Sequence, residues 1–338
     1  MSFTETSLPF IIAEIGGNHE GDFEYAKKLL VDAAATGANA IKFQTYSADR
    51  IVNKDEAPER NKHFSKFELS TAEYVELAEI CESLGTMFMT SLWDLESIKL
   101  LDPLIKVHKV GSGDLTNYRL LKPLAETDKP LCIATAMATL EETLAAVEFI
   151  RSINPRLISS GNLCVMHCVA MYGEPRDTYA NLLAIKTLRD NLPPEISVGY
   201  SDHTSGNVAV KVALEFGANV IETHFTDDKT RDFRDHHFAH TQQELRDFIE
   251  FCSRRGEMLG TGIKRPVSQI ESEARIKQFR RACYLKIDLD IGETVSESNL
   301  TTLRPLVGLP ATEYFNVIGK QASRKIKALE PLSWNDFV

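Results

Sequence analysis

Short apolar, β-prone runs recur along this chain, and nearly every one is followed by a stretch with apolar residues at helical spacing. The runs are Phe10–Gly16, Ala40–Tyr46, Met87–Leu92, Ile105–Gly111, Pro130–Ala134, Leu163–Val169, Ile196–Tyr200 and Val220–Thr226. Between the first two, Tyr25, Leu29, Leu30 and Ala33 fall on one helical face from Glu24 onward, and Gly37 offers a C-terminal stop. Thr71 to Gly85 repeats the pattern with Tyr74, Leu77, Ile80 and Cys81, and so do Leu140–Ile153, Asn207–Gly217 and Gln242–Leu259. The strand-like runs are almost continuously apolar, as required when both faces of a sheet are covered. Eight such βα units predict a closed (β/α)8 TIM barrel. An open doubly wound sheet is the alternative, and it is disfavoured because no GxGxxG follows any of the runs.

The barrel is expected over residues 1–262 and a linker helix over 263–281, where Lys264-Arg265-Pro266 opens a polar stretch reaching Arg281. Residues 282–338 then read as a small β-rich domain, with strands at Ala282–Ile287, Leu303–Pro305 and from Ile326 onward, and a turn at Asp290-Ile291-Gly292. A module of that size builds a marginal core and is expected to lean on another surface.

Charge and cysteine usage narrow the function. In 338 residues, 48 Asp and Glu face 38 Lys and Arg, a net charge of -10. A field of that sign argues against nucleic acid as a partner, while a local lysine pocket can still hold a small anion. No apolar run approaches the roughly 18 residues that span a bilayer. The start, Met-Ser-Phe-Thr-Glu-Thr-Ser, shows no basic segment ahead of an apolar one. Six cysteines stand without CxxC spacing, most within apolar runs, as suits reduced thiols. A cytoplasmic location with no membrane partner is expected.

Barrels of this type carry their sites at the C-terminal ends of the strands. Polar residues there are Glu14, Asn18 and His19 after the first run, Lys42 and Gln44 on the second, and Lys109, Ser112 and Asp114 at the fourth. The sixth, seventh and eighth add His167 and Tyr172, then Ser201, Asp202, His203 and Thr204, then Glu222 and His224. Two lysines, two histidines and several carboxylates at one rim suit a phosphorylated anion with a divalent metal. Each has a blander reading as well. A strand lysine can close a structural ion pair, a lone histidine can be a satisfied core residue, and Gly111-Ser112-Gly113 can be a tight turn. No cysteine has an obvious basic partner nearby in sequence. A Schiff-base aldolase using Lys42 or Lys109 is one rival. A non-catalytic protein that binds a sugar or a partner protein is another.

In combination the motifs resemble the sialic acid synthase family, the phosphoenolpyruvate-dependent synthases of N-acetylneuraminate and related nonulosonates. The matching segments are Ile-Ile-Ala-Glu14-Ile-Gly-x-Asn18-His19-x-Gly21-Asp and Gly-Ala-x-Ala-Ile-Lys42-Phe-Gln44-Thr. Lys109-Val-Gly-Ser112-Gly-Asp114, Gly199-Tyr-Ser201-Asp202-His203-Thr204 and Glu222-x-His224-Phe-Thr226 follow in order. In the tail, Ile291-Gly292-Glu293, Leu303-Arg304-Pro305 and Val317-Ile318-Gly319-Lys320 resemble that family's antifreeze-like (SAF) domain. The resemblance implies condensation of phosphoenolpyruvate with a sugar aldehyde in a domain-swapped homodimer. It implies that Lys42, Lys109, Ser112 and Ser201 hold phosphoenolpyruvate. His203 and His224 would bind a divalent metal, Mn2+ first, with Mg2+ or Co2+ as alternatives. Glu14 falls where the family contacts the sugar and a metal-bound water, with Asp202 as a further catalytic carboxylate. Gln44, Tyr172 and Asp114 would line the substrate pocket. Asp235 and Arg304 would face the sugar, the latter from the partner subunit.

The chain also departs from that pattern. Ala134-Thr-Ala-Met137 replaces Ser-Thr-Gly-Met after the fifth strand, and Ala170 stands where the family often has a polar residue after the sixth. After the eighth, Gly-x-Asp-His-x-x-Ser becomes Phe233-Arg234-Asp235-His236-His237-Phe238-Ala239. Each hydroxyl lost against a charged ligand costs about 1.5–3 kcal/mol, which Arg234 offsets if it turns inward. The expectation is a divergent branch with an altered acceptor.

Overall fold

The computed structural model describes residues 3, 8–171, 176–232 and 235–338. They divide into two compact units, Met1–Gly260 and Thr261–Val338. In the first, eight parallel strands close into a barrel in sequential order: β1 Phe10–Gly16, β2 Ala40–Thr45, β3 Met87–Leu92, β4 His108–Val110, β5 Leu131–Ala134, β6 Leu163–Cys168, β7 Ser197–Asp202 and β8 Val220–His224. β1 pairs with both β2 and β8, which closes the ring.

The helices that cover the barrel start where side chains satisfy their first amides. Asp22 caps Phe23–Ala34, and Ser70, Thr139 and Thr241 open reciprocal capping boxes with Glu73, Glu142 and Glu244. Leu29, Leu30 and Ala33 of the first helix, and Tyr74, Leu77 and Cys81 of helix Thr71–Ser83, pack on the outer face of the strands. Period-two alternation sends the intervening strand residues inward. Phe10, Ile12, Ala40, Met89, Val107, Cys132, Cys164, Met166 and Val220 form an apolar plug inside the barrel, closed below by Phe3. One step further along the strands, the inward positions turn polar, and that layer holds the candidate site.

Most differences from the sequence reading lie at strand ends. β4 is only His108–Val110, because the chain ahead of it turns in a 3-10 segment at Asp102–Leu104 and meets β3 at Ser91 and Lys109 alone. β7 runs past Tyr200 to Asp202, because Ser201 and Asp202 still pair with Glu222 and Thr223 of β8. Polar residues that read as loop are here the last rungs of the ladder.

In the second unit, β9 (Ala282–Leu285) pairs antiparallel with β10 (Leu300–Leu303). Cys283, Leu285, Leu289, Val295, Leu300, Leu309, Val317, Ala322, Ile326 and Leu332 make its own apolar core. β10 lies earlier than the expected Leu303–Pro305, consistent with Pro305 having no N–H to give a ladder. Ile326 joins by an isolated bridge to Leu289 rather than by a strand. The expected linker helix over 263–281 is helical only at Glu273–Phe279. Among the described residues, no helix is long and apolar enough to cross a membrane.

Candidate active site

Four charged side chains from four strands meet at the polar layer. Lys42 Nζ lies 2.8 Å from Glu14 Oε2 and 3.6 Å from Glu222 Oε2, and Lys109 Nζ lies 3.2 Å from Glu222 Oε1. All four side chains are at most 5% exposed. Strand register explains the meeting: Glu14 pairs with Lys42 across β1 and β2, and Glu222 sits beside Ser201 across β7 and β8. Burying two ammoniums without partners is prohibitive, so two carboxylates must accompany them. The quartet is neutral in sum.

The two carboxylates differ. Glu222 receives both ammoniums and a 2.9 Å hydrogen bond from the Ser201 hydroxyl. Although burial opposes its ionisation, Lys109 and Lys42 hold its carboxyl far below the ordinary range. Glu14 has only Lys42 and the Gln44 amide, which donates at 2.9 Å. Burial dominates there and pushes the carboxyl up to about 7, helped by the neighbouring Glu222 charge. Lys109 stays a firm ammonium: burial works against it, but Glu222 and more distant groups raise its pKa. Ser91 accepts from Lys42 at 3.3 Å.

Beside the quartet stand two imidazoles. The ring centroids of His203 and His224 are 4.8 Å apart, and Phe238 packs against both at 5.7 and 5.0 Å. Burial holds both neutral, His203 down to about 3 and His224 down to about 4. His224 Nδ1 faces the Asp202 carbonyl at 3.3 Å. A carbonyl only accepts, so Nδ1 carries the proton and Nε2 keeps the lone pair. Neutral imidazoles of this kind fit a divalent cation. No group of three His, Cys, Asp or Glu placed to hold a metal occurs among the described residues. The described residues therefore supply two neutral imidazoles to such an ion and no third ligand of these types.

The other expected site residues are placed as follows. Ser201 and Gln44 join the quartet. Ser112, half-buried after β4, accepts from the Ala136 amide at 2.9 Å. Asp114 is half-buried and engaged by the Asn117 amide at 3.0 Å. Asp202 is not brought to the lysines. One of its oxygens takes bonds from the Tyr200 hydroxyl and from the amide and hydroxyl of Thr204, which shapes the turn after β7. Burial pushes its carboxyl up to about 6. Asp235 is buried at 2% exposure on the loop after β8, close enough to raise the His203 pKa electrostatically. Arg304 belongs to the second unit, where it is exposed with its guanidinium 5.9 Å from the Phe279 ring. Tyr172 and Arg234 lie outside the described residues.

Two groups carry more than the sequence reading gave them: it placed Glu222 at the rim without a role, and it found no partner for Cys168. Glu222 was legible in principle, since it precedes His224 by two and alternation puts both on the inner face. Cys168 was not, because its partner is distant in the chain: Sγ lies 3.6 Å from His203 Nδ1. Burial pushes that thiol up to about 11 despite Lys109 nearby, so it is no thiolate nucleophile. The departures from the family pattern at Ala134, Ala136 and Ala170 come together in space. Ala134, Ala136 and Cys168 form a small apolar cluster with half-buried Ala170 packed against it.

Residues 29–264 match the NeuB family and residues 280–338 match the SAF domain. A curated relative, an N,N'-diacetyllegionaminic acid synthase of Legionella pneumophila, is 35% identical over 96% of this chain and 93% of its own length. An N-acetylneuraminate-9-phosphate synthase of Mus musculus is 30% identical over 92% of this chain and 88% of its own. Among solved structures, an N-acetylneuraminic acid synthetase from Leptospira borgpetersenii superposes with a TM-score of 0.71 at 30% identity, covering 79% of this chain and 91% of that one.

Proposed function

The chain belongs to the NeuB family, and from that premise we propose that it condenses phosphoenolpyruvate with an acyclic N-acyl sugar aldehyde to give a nonulosonic (2-keto-3-deoxy) acid and phosphate. The observation that carries the reading is the convergence of Lys42, Lys109, Glu14 and Glu222 beside the His203–His224 pair at one end of the barrel.

The phosphate and carboxylate of phosphoenolpyruvate compete with Glu14 and Glu222 for the two ammoniums. Lys42 and Lys109 then hold the substrate and stabilise charge on the departing phosphate. His203 and His224 would hold a divalent cation, Mn2+ first among the candidates, which would supply Lewis acidity toward the aldehyde oxygen. The methylene carbon of phosphoenolpyruvate forms the new bond to the aldehyde carbon, and the aldehyde oxygen takes up a proton. Positive charge develops at the phosphate-bearing carbon, where water adds. Glu14, whose proton affinity burial has tuned to about 7, takes the proton from that water. Collapse of the adduct breaks the bond from carbon to the bridging oxygen, and phosphate leaves with the proton of the added hydroxyl as the keto group forms; the proton taken by Glu14 balances the one gained by the aldehyde oxygen.

The Schiff-base alternative fits less well. An amine nucleophile needs a lowered pKa, and Lys109 is raised instead. A domain-swapped homodimer, with Arg304 facing the partner's acceptor, remains part of the proposal. The test is phosphate release from phosphoenolpyruvate with Mn2+ and a panel of N-acyl hexosamines and plain aldoses. Release that requires an aldehyde supports the reaction, and a folded, metal-replete sample that releases none with any acceptor refutes it.

A further inference from the structure

The loop after β8 brings Phe238 and Asp235 to the site, yet the mechanism uses none of the groups that hold the loop in place. Its base is closed by the backbone: the His240 amide donates to His224 O at 2.7 Å and the Thr226 amide to His240 O at 3.0 Å. Its outer part is tied to the chain just after β1, far away in sequence. Arg231 Nε lies 2.7 Å from Glu20 Oε1, across 211 positions. The same guanidinium sits 4.5 Å from the Tyr25 ring centroid. The Tyr25 hydroxyl donates to Asp227 at 2.5 Å, and Lys28 approaches Asp227 at 2.7 Å. Glu20 also lies 3.3 Å from Nε2 of the buried His236, whose Nδ1 is 2.6 Å from the Thr226 hydroxyl.

The turn that presents Glu20 is itself fixed. Glu20 adopts a left-handed φ of 55°, unusual for a residue with a side chain. At Gly21 an added Cβ would lie 2.1 Å from the Lys66 carbonyl oxygen, so the turn is wedged against that backbone. A rigid turn thus offers one carboxylate to two groups of the loop, Arg231 and His236, on either side of the loop's midpoint. His236 adjoins Asp235 in the chain, so the contact is one residue from the carboxylate proposed to face the sugar.

We propose that Glu20 and Arg231 are positioning residues for the acceptor: they latch the β8 loop to the β1 turn and so set Asp235 and Phe238 for binding the sugar aldehyde. This rests on the reaction proposed above. The latch touches neither lysine of the quartet, so phosphoenolpyruvate binding does not depend on it. The pair is partly solvent-exposed, 38% for Arg231 and 31% for Glu20, so its effect is moderate rather than all-or-none.

The test uses the full chain with Mn2+ and the variants Glu20→Gln, Arg231→Ala, Arg231→Lys and the Glu20→Gln/Arg231→Ala double. Each of Glu20→Gln and Arg231→Ala is expected to raise KM for the acceptor about three- to tenfold. KM for phosphoenolpyruvate and Tm stay at wild-type values. The double variant is no worse than the worse single, because both remove one contact, and Arg231→Lys recovers most of the loss. An unchanged acceptor KM, an equal rise for both substrates, or additive singles would overturn the latch. Trypsin digestion gives a readout independent of turnover: Glu20→Gln is expected to be cut faster than wild type after Lys229 or Arg231. If wild type turns over no acceptor, the reaction itself fails. The latch is then decided by the protease arm, where equal cleavage rates overturn it.

Discussion

The polar layer of the barrel has two unlike halves. Strands β1, β2, β4 and β8 send in Glu14, Lys42, Lys109 and Glu222, all buried and mutually paired. Strands β5 and β6 and the residues just beyond them offer Ala134, Ala136, Cys168 and Ala170, which pack on one another. Both halves belong to one ring of similar depth, so burial does not separate them. Charge does. The first half tolerates ions because positive and negative groups cancel locally. Among the described residues, the second half carries no charged side chain, and Ser112 on its border accepts from the Ala136 amide. The charged end of a substrate is therefore drawn to the lysines of β2 and β4, with the small-residue wall of β5 standing beside it in the ring.

The hardest way to break this contrast is to remove one member of the quartet. Glu222→Ala leaves two buried ammoniums with only Glu14 between them and should lower stability by about 3–5 kcal/mol in urea unfolding. Lys109→Ala should cut kcat/KM by about 10²–10³ at least, measured as phosphate release. If Glu222→Ala unfolds at the wild-type midpoint, the quartet is not the closed electrostatic unit described here.

The eight-stranded barrel was legible from spacing alone, because a doubly covered strand must be apolar on both faces and Leu163–Cys168 or Met87–Leu92 announce that directly. Lys42 and Lys109 were legible for the converse reason: an ion in such a strand needs a purpose or a partner. The sequence could not name the partner. Pairing of Lys109 with Glu222 depends on register across strands that are not neighbours, which no local pattern encodes. Nor could the sequence show that alternation along β7 turns Asp202, expected as a catalytic carboxylate, to the face of Tyr200 rather than that of Ser201. The end of β7 was misjudged because its polar terminal residues look like a loop until β8 is seen beside them.

A smaller effect is expected from the imidazole pair, which borders both halves. Dialysis against EDTA should lower the rate about a hundredfold, with recovery on adding Mn2+. Calorimetric titration of Mn2+ into the stripped protein should give one site, lost in His203→Ala. A stripped protein with full activity would remove the metal from the scheme and leave His203 and His224 as packing for Phe238.

The two carboxylates of the quartet should part company with pH. Glu14 is raised in the folded state from 4.5 to about 7, so the native protein holds a proton that the unfolded chain releases. Its contribution to stability is complete below pH 4.5 and is lost as pH rises through about 7. Glu222 is lowered, so its contribution is present above pH 4.5 and is lost as pH falls below that value. The windows do not overlap. Glu14→Gln should flatten the stability difference between pH 5 and 7 measured against wild type and leave the acid limb intact. It should also abolish the rise of kcat/KM with pH near 7. A variant that keeps both slopes would assign that proton to another group, such as Asp202, which burial lifts to about 6.

The smallest effect tests the apolar half. Ala134→Ser puts a hydroxyl into the cluster of Ala136 and Cys168, one strand from Lys109. If that wall only packs, the hydroxyl is buried without an anion to meet, costs about 1 kcal/mol, and leaves KM for phosphoenolpyruvate unchanged. If the wall borders the phosphate, the same stability loss in the free protein is accompanied by a KM about three- to tenfold lower, because the new donor finds a charged acceptor only when substrate is bound. The second outcome is expected. Lys109 fixes the anion at β4, and β5 is the next strand in the ring, paired with it at Cys132, so a hydroxyl at Ala134 stands one inward position further toward the rim from the lysine's own register partner. A fall in ligand-free stability together with a fall in KM is what distinguishes a lost phosphate contact from a tightly packed corner.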